Sequence, residues 1–328
     1  MNHKRKSIIE ANEISELRTF SLGGYKQKVL IEGKYRTNPI VIVLHGGAGF
    51  PVPFGVGSRG MFPELTDRFI MVYWDQLGCG VNNHKIDESF SSDDFTEMAI
   101  DLIQEIRKEF PENTISLYGV SWGSIIAAKV ALKVPHMLYR VLTYAQVLKQ
   151  LIFNDEVYKT LENSKLPKKS RKRLESIKNS EQHTLHELKA VIKLMLKYTE
   201  GYQSKAGEKY PLRKIFYGIL TSPDYSLKDF LALAKNGYTN SKSIFLDMMN
   251  IDLSDVLCNI QIPYLILQGD TDIVTSTTMI ATFKESIQND SLLIHRIPNS
   301  SHEPSKMAMD YIIKDGFDFL DSRKGILL

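Results

Sequence analysis

Residues 115–128, ISLYGVSWGSIIAA, constrain this chain more than any other stretch. A short apolar run, 115–118, has strand character and leads straight into Gly119-Val120-Ser121-Trp122-Gly123. A helix-forming segment, 124–132, follows. Strand, sharp turn with serine at its apex, then helix is the context a Gly-x-Ser-x-Gly nucleophile elbow requires. The turn holds the serine in a strained conformation, and the flanking glycines let strand and helix crowd past it. The hydroxyl then stands clear at the C-terminal edge of a sheet, with the Trp122 backbone N–H pointing at the same spot. The bare motif arises by chance about once in several thousand positions, so its surroundings decide.

Those surroundings read as a parallel sheet covered by helices. Residues 16–33 form two alternating runs around Gly23-Gly24, a β-hairpin. Runs 39–44 and 69–74 are continuously apolar, as in strands buried on both faces. The first ends in His45-Gly46-Gly47-Ala48-Gly49, where glycines let backbone N–H groups approach a ligand; a plain glycine-rich turn is the competing reading. The second ends in Asp75, which we expect to tie down its own loop, with Cys79 as packing. Asp93-Asp94 open an amphipathic helix that stops before Pro111, and 138–144 reads as the next strand.

From 146 to 250 strand signals vanish and helical periodicity takes over, at 184–198, 212–220 and 226–235. The last begins with a Ser226–Asp229 capping box. Strands resume at 263–267 and 292–297, and a helix closes the chain. The expected organisation is an α/β core of residues 1–145 and 251–328, with a helical cap (lid) of 146–250 over the C-terminal edge of the sheet. A chain of 328 residues, 43% hydrophobic and 24% charged, suits one large α/β domain with an insertion, or two small domains. A net charge of +3 is too slight to imply a nucleic-acid or membrane partner. The basic N-terminus lacks the apolar run of a signal peptide. Two cysteines fit a reducing compartment, so a cytoplasmic protein is expected.

Ser121, an Asp near 270 and His302 stand in that chain order, each just past a predicted strand end. Parallel strands bring such ends to one edge. A serine hydroxyl is a poor nucleophile until an imidazole takes its proton, and the imidazole needs a carboxylate on its other nitrogen. Ser121 is assigned as nucleophile, His302 as general base and acid, and Asp272 as the orienting carboxylate, with Asp270 the alternative. The N–H groups of Trp122 and of Gly47 or Gly46 would form the oxyanion hole. Trp122, Ala48 and Phe50 are expected to touch substrate, and His295, inside a strand, to be structural.

This order and these contexts resemble the α/β-hydrolase fold. Three segments are similar to the proline iminopeptidase family: His45 to Gly49 for its His-Gly-Gly-Pro-Gly, Asp75 to Gly80 for its Asp-Gln-Arg-Gly-Cys-Gly, and Gly119 to Ser124 for its Gly-Gly-Ser-Trp-Gly-Ser. The resemblance implies Ser121, Asp272 and His302 as the triad, with Gly47 and Trp122 at the oxyanion hole. Ala48 and Leu77 depart from the family's Pro and Arg. The acidic motifs that hold a free amino group in that family have no counterpart; Asp155, Glu156 and Glu208 are the available carboxylates. The expected function is therefore hydrolysis of a small-molecule ester or lactone through an acyl-serine, without cofactor or metal. An aminopeptidase acting on short peptides is the alternative, and a non-catalytic receptor on the same fold a third reading. His183 and His186, at helical spacing, are expected to be exposed rather than metal ligands. The basic run 168–173 is read as a solvated helix face, and Tyr198, Tyr202, Tyr210, Phe216 and Tyr217 as core of the cap.

Overall fold

A computed structural model describes residues 3–149, 152–206, 208–238 and 241–324. Its single sheet contains β1 (Ile14–Leu22), β2 (Tyr25–Gly33), β3 (Ile40–Leu44), β4 (Ile70–Trp74), β5 (Ile115–Val120), β6 (Val141–Tyr144), β7 (Tyr264–Gly269) and β8 (Leu292–Ile297). The strands lie in the order β1-β2-β4-β3-β5-β6-β7-β8. The hairpin β1–β2 joins antiparallel to β4, and all later pairings are parallel.

The apolar runs follow from burial on both faces. Alternate residues of β3 and β4 enter two separate cores. Ile40, Ile42, Ile70 and Val72 pack with Phe95, Leu102 and Ile106 of helix Ser92–Glu109 and with helix Trp122–Lys133. Val41, Val43, Met71 and Tyr73 pack with Met309 and Phe317 of the C-terminal helices Lys306–Tyr311 and Phe317–Leu320. Helix Ser92–Glu109 begins at a Ser91–Asp94 capping box. The strand expected over 138–144 starts only at Val141, because Pro135–Met137 forms a 3-10 turn before it.

After β3 the chain places β4 on one side and β5 on the other. The crevice where strand order reverses is where ligands bind in open α/β sheets. His45, Asp75, Ser121, Asp272 and His302 all follow strands ending at this edge.

Between β6 and β7 the described residues contain no strand longer than an isolated bridge. Helices occupy Asp155–Glu162, Lys168–Lys178, Leu185–Tyr198, Leu212–Leu220, Leu227–Leu231 and Lys242–Asn250. Where the segment begins and ends, its two strands of chain meet: Lys149 bridges Asp252, and the Leu253 N–H donates to the Leu148 carbonyl at 2.7 Å. The capping box at Ser226 is present, but its helix stops at Leu231 rather than 235. Among the described residues no helix is long and apolar enough to cross a membrane.

Candidate active site

Ser121 lies between β5 and helix Trp122–Lys133 with φ 49° and ψ −115°, a backbone region that a side chain occupies only when its surroundings force it. The forcing contacts are local. The Ser121 N–H donates to the Tyr144 carbonyl at 3.0 Å, and its carbonyl accepts from the Ser124 N–H and hydroxyl. Gly123 could not be another residue: a Cβ there would stand 1.9 Å from the Leu44 carbonyl oxygen of β3. The close helix–strand passage anticipated from the motif is therefore real.

The Ser121 hydroxyl is 3.1 Å from His302 Nε2, and His302 Nδ1 is 3.0 Å from Asp272 Oδ2. The Asp272 side chain is fully buried and that of His302 11% exposed. Asp272 Oδ1 accepts the N–H groups of Val274 and Thr275, while Oδ2 takes the Thr275 hydroxyl at 2.6 Å and the Gln268 amide at 3.4 Å. An acceptor-only carboxylate fixes the proton of His302 on Nδ1 and leaves Nε2 free to receive the serine proton. Asp270 does something else: it accepts the N–H groups of Asn299 and Ser300 and shapes the loop leading to His302.

The β3–loop side approaches Ser121 through Gly46, whose hypothetical Cβ would lie 3.5 Å from the serine Cβ. Gly47 is exposed with φ 125°, and the Gly46 carbonyl is turned away to accept the Phe50 N–H. Trp122 heads its helix, so its N–H has no intrahelical acceptor. Behind this loop His45 is locked between partners. Its Nε2 accepts the Gln76 N–H at 3.0 Å, so its Nδ1 donates to the Gly46 carbonyl at 2.9 Å. Burial lowers its pKa to about 4 and keeps it neutral.

Two expectations about contacts need correction. The Trp122 side chain is 1% exposed and cannot face substrate. Its indole N–H donates to Gln76, and its ring packs on Phe95 and Tyr238, because the first helical turn points that residue into the core. Phe50 and Ala48 do lie on the loop beside Ser121, with the Phe50 ring 6.2 Å from Phe216. His183 is not exposed on a helix: it precedes the helix and stacks on Phe153 at 3.9 Å. His186 is exposed, and the described residues contain no group of ligands able to hold a metal.

Sequence reasoning missed several supporting residues. Gln268 and Thr275 hold the Asp272 carboxylate, and Tyr144 donates to the Ser301 carbonyl next to His302. A polar glutamine ending an otherwise apolar β7 was the available signal. Tyr202, read as core, places its ring 5.4 Å from that of His302. Asp75 accepts the Val56 and Val81 N–H groups, as expected of a loop anchor, and also the Tyr225 hydroxyl at 2.5 Å. Of the three carboxylates considered for an amine, Glu208 pairs with Lys306, Glu156 accepts from Ser276 and Thr278, and Asp155 is exposed. No contact joins any of them to Ser121 or His302.

A doubly wound parallel sheet with a strained serine at a strand–helix turn is the architecture of the α/β hydrolases. The chain belongs to this family: the sequence family described as alpha/beta hydrolase fold matches residues 39–306, and the protein is a hydrolase. It is 22% identical over 307 residues to "Probable aminopeptidase YbaC" of Bacillus subtilis, covering 90% of this chain and 93% of that one. Its fold is shared with the proline iminopeptidase of Mycobacterium smegmatis (TM-score 0.61, 17% identity, 93% and 97% of the two chains). It is shared equally with the carboxylesterase CesB of Bacillus subtilis (TM-score 0.58, 17% identity, 97% and 95%).

Proposed function

We propose that this protein hydrolyses carboxylic esters or lactones of small molecules through an acyl-serine intermediate. The observation that carries this reading is the continuous Ser121–His302–Asp272 hydrogen-bonded chain, 3.1 and 3.0 Å long at its two links. Ser121 Oγ attacks the carbonyl carbon as its proton passes to His302 Nε2. The developing oxyanion faces the Trp122 and Gly47 N–H groups, each worth about 10²–10³-fold in rate in sites of this type. His302 then protonates the leaving alcohol, and the carbonyl re-forms as an acyl ester on Ser121. In the second half, water gives a proton to His302 and its oxygen to the acyl carbon, and the acid departs as Ser121 recovers its proton. Asp272 keeps His302 oriented and stabilises the imidazolium in both halves. Residues 146–250 act as a cap over this edge, a division supported by the Lys149–Asp252 bridge at its base. The substrate is a free small molecule in a reducing, cytoplasmic setting, supported by two unpaired cysteines.

The second reading is an aminopeptidase, favoured by the names of the Bacillus subtilis and Mycobacterium smegmatis relatives. A protonated amine needs a carboxylate beside it, and Asp155, Glu156 and Glu208 all lie in other contacts or in solvent. A paired assay of the protein and its Ser121→Ala variant decides between these readings, using prolyl-β-naphthylamide and a panel of esters and lactones. Ester or lactone turnover abolished by Ser121→Ala is the expected outcome. Turnover of the prolyl amide alone would select the aminopeptidase, and an intact protein that neither turns over substrate nor reacts with a fluorophosphonate would select a receptor.

A further inference from the structure

A cavity of about 70 Å³ opens at the C-terminal edge of the sheet. Gly46, Val120 and Pro304 place it among three loops: the proposed oxyanion loop, the turn bearing Ser121 and the loop bearing His302. Its remaining walls are mainly apolar, with Val43, Phe54 and Met309 forming the sides. Besides the Tyr118 hydroxyl, the polar side chains that line it are Tyr144 and His45, and both are engaged elsewhere. Tyr144 donates to the Ser301 carbonyl and also meets Ser300, and His45 uses both ring nitrogens on Gly46 and Gln76. Among the described residues, no acidic or basic side chain other than the neutral His45 lines it.

We propose that this cavity receives the acyl chain of the substrate, selecting short, uncharged acyl groups of about butyryl size. The inference rests on the reading of Ser121 as nucleophile. An apolar cavity of about 150 Å³ accommodates benzene, six carbons; the present volume therefore holds roughly three carbons beyond the carbonyl. The assignment to the acyl rather than the alcohol side follows from the order of events. The alcohol must leave before water can attack the acyl-serine, so a recess walled by core side chains suits the part that stays attached. An acyl group carrying a protonated amine, such as prolyl, would enter a space with no carboxylate to receive it.

The test is kcat/KM on p-nitrophenyl esters from acetyl to decanoyl, beside a series of acetates of increasing alcohol length. Each is measured on the parent protein and on Ser121→Ala, Met309→Ala and Val52→Phe, Val52 being a further wall residue. Buried methylenes are each worth about fourfold, so a rise of about fifteenfold over the two methylenes from acetyl to butyryl is expected, with a fall of at least tenfold by octanoyl. Met309→Ala should move the optimum to longer acyl chains, and Val52→Phe should lower the butyryl-to-acetyl ratio at least fivefold. A flat acyl profile, an optimum at octanoyl or beyond, ratios unmoved in both wall variants, or selectivity that follows the alcohol would overturn the pocket while Ser121-dependent turnover stands. Ester turnover surviving Ser121→Ala, or no ester turnover with Ser121 unreactive towards a fluorophosphonate, would instead remove the catalytic reading and the pocket with it.

Discussion

Asp272 receives four hydrogen bonds besides that from His302, and the shortest comes from the Thr275 hydroxyl. A hydrogen bond to a charged group contributes about 1.5–3 kcal/mol. Thr275→Val should therefore lower kcat by roughly tenfold or more with little change in KM, because it loosens the orienter of His302 without touching the substrate. Asp272→Asn should cost on the order of 10⁴-fold in kcat, as expected when the imidazole adopts the wrong tautomer; steady-state kinetics on an ester checks both. The residues of this chain of bonds were legible in sequence because each is a polar group just after an apolar run. Choosing Asp272 over Asp270 rested on loop reach; the structure sets Asp272 against His302, while Asp270 faces the backbone of its own neighbourhood. The substrate role given to the Trp122 side chain failed because sequence adjacency to a nucleophile says nothing about which way the first helical turn points. Gln268 showed only as a polar residue near the end of apolar β7, and Thr275 not at all, since its partner depends on how a loop folds back on a strand.

At the scale of elements, Gly201, Tyr202 and Glu208 tie their stretch of chain to both loops that carry Asp272 and His302. The Gly201 carbonyl accepts the Ile273 N–H, the Tyr202 carbonyl accepts the Glu303 N–H, and the Glu208 carbonyl accepts the Lys306 N–H. A Cβ on Gly201 would stand 2.2 Å from the Ile273 side chain, which would have to shift to make room. Gly201→Val should push this stretch off the Asp272 loop, lowering kcat at least tenfold and the melting temperature by several degrees, read by kinetics and calorimetry on one preparation. The eight strands were readable within a few residues because burial on both faces or on alternate faces leaves a plain pattern. The intervening helices were readable where apolar spacing and capping boxes coincide, as at Leu185–Tyr198. Helices Asp155–Glu162 and Lys242–Asn250 gave no comparable signal, being short and capped by a single side chain, Asn154 or Ser241, rather than by a capping box. The attachment of Gly201, Tyr202 and Glu208 to the loops of Asp272 and His302 was not readable, because main-chain hydrogen bonds between distant segments leave no mark on residue type.

Across the whole molecule, two buried ionisable groups pull stability in opposite directions with pH. Burial lowers the pKa of His45 from 6.5 to about 4, so the unfolded chain binds its proton first on acidification. That contribution is full above pH 6.5 and is lost as pH falls towards 4. Burial raises the pKa of Asp75 from 3.8 to about 6, against the opposing hydrogen bonds from Tyr225, Val56 and Val81. Its contribution is full below pH 3.8 and is lost as pH rises through about 6. Urea unfolding across this range should show His45→Asn gaining on the parent by up to about 3 kcal/mol between pH 6.5 and 4, and Asp75→Asn losing ground over nearly the same interval. Tyr225, in the segment between β6 and β7, bonds Asp75, and Gly201, Tyr202 and Glu208 of the same segment bond the loops of Asp272 and His302. The second of these attachments has a kinetic meaning. Were the chain at Gly201, Tyr202 and Glu208 to lift and admit a molecule, the bonds that hold Ile273 and Glu303, the neighbours of Asp272 and His302, would break. Admission by that route and full reactivity would then be alternating conditions of one body, like a door whose bolt is also its spring.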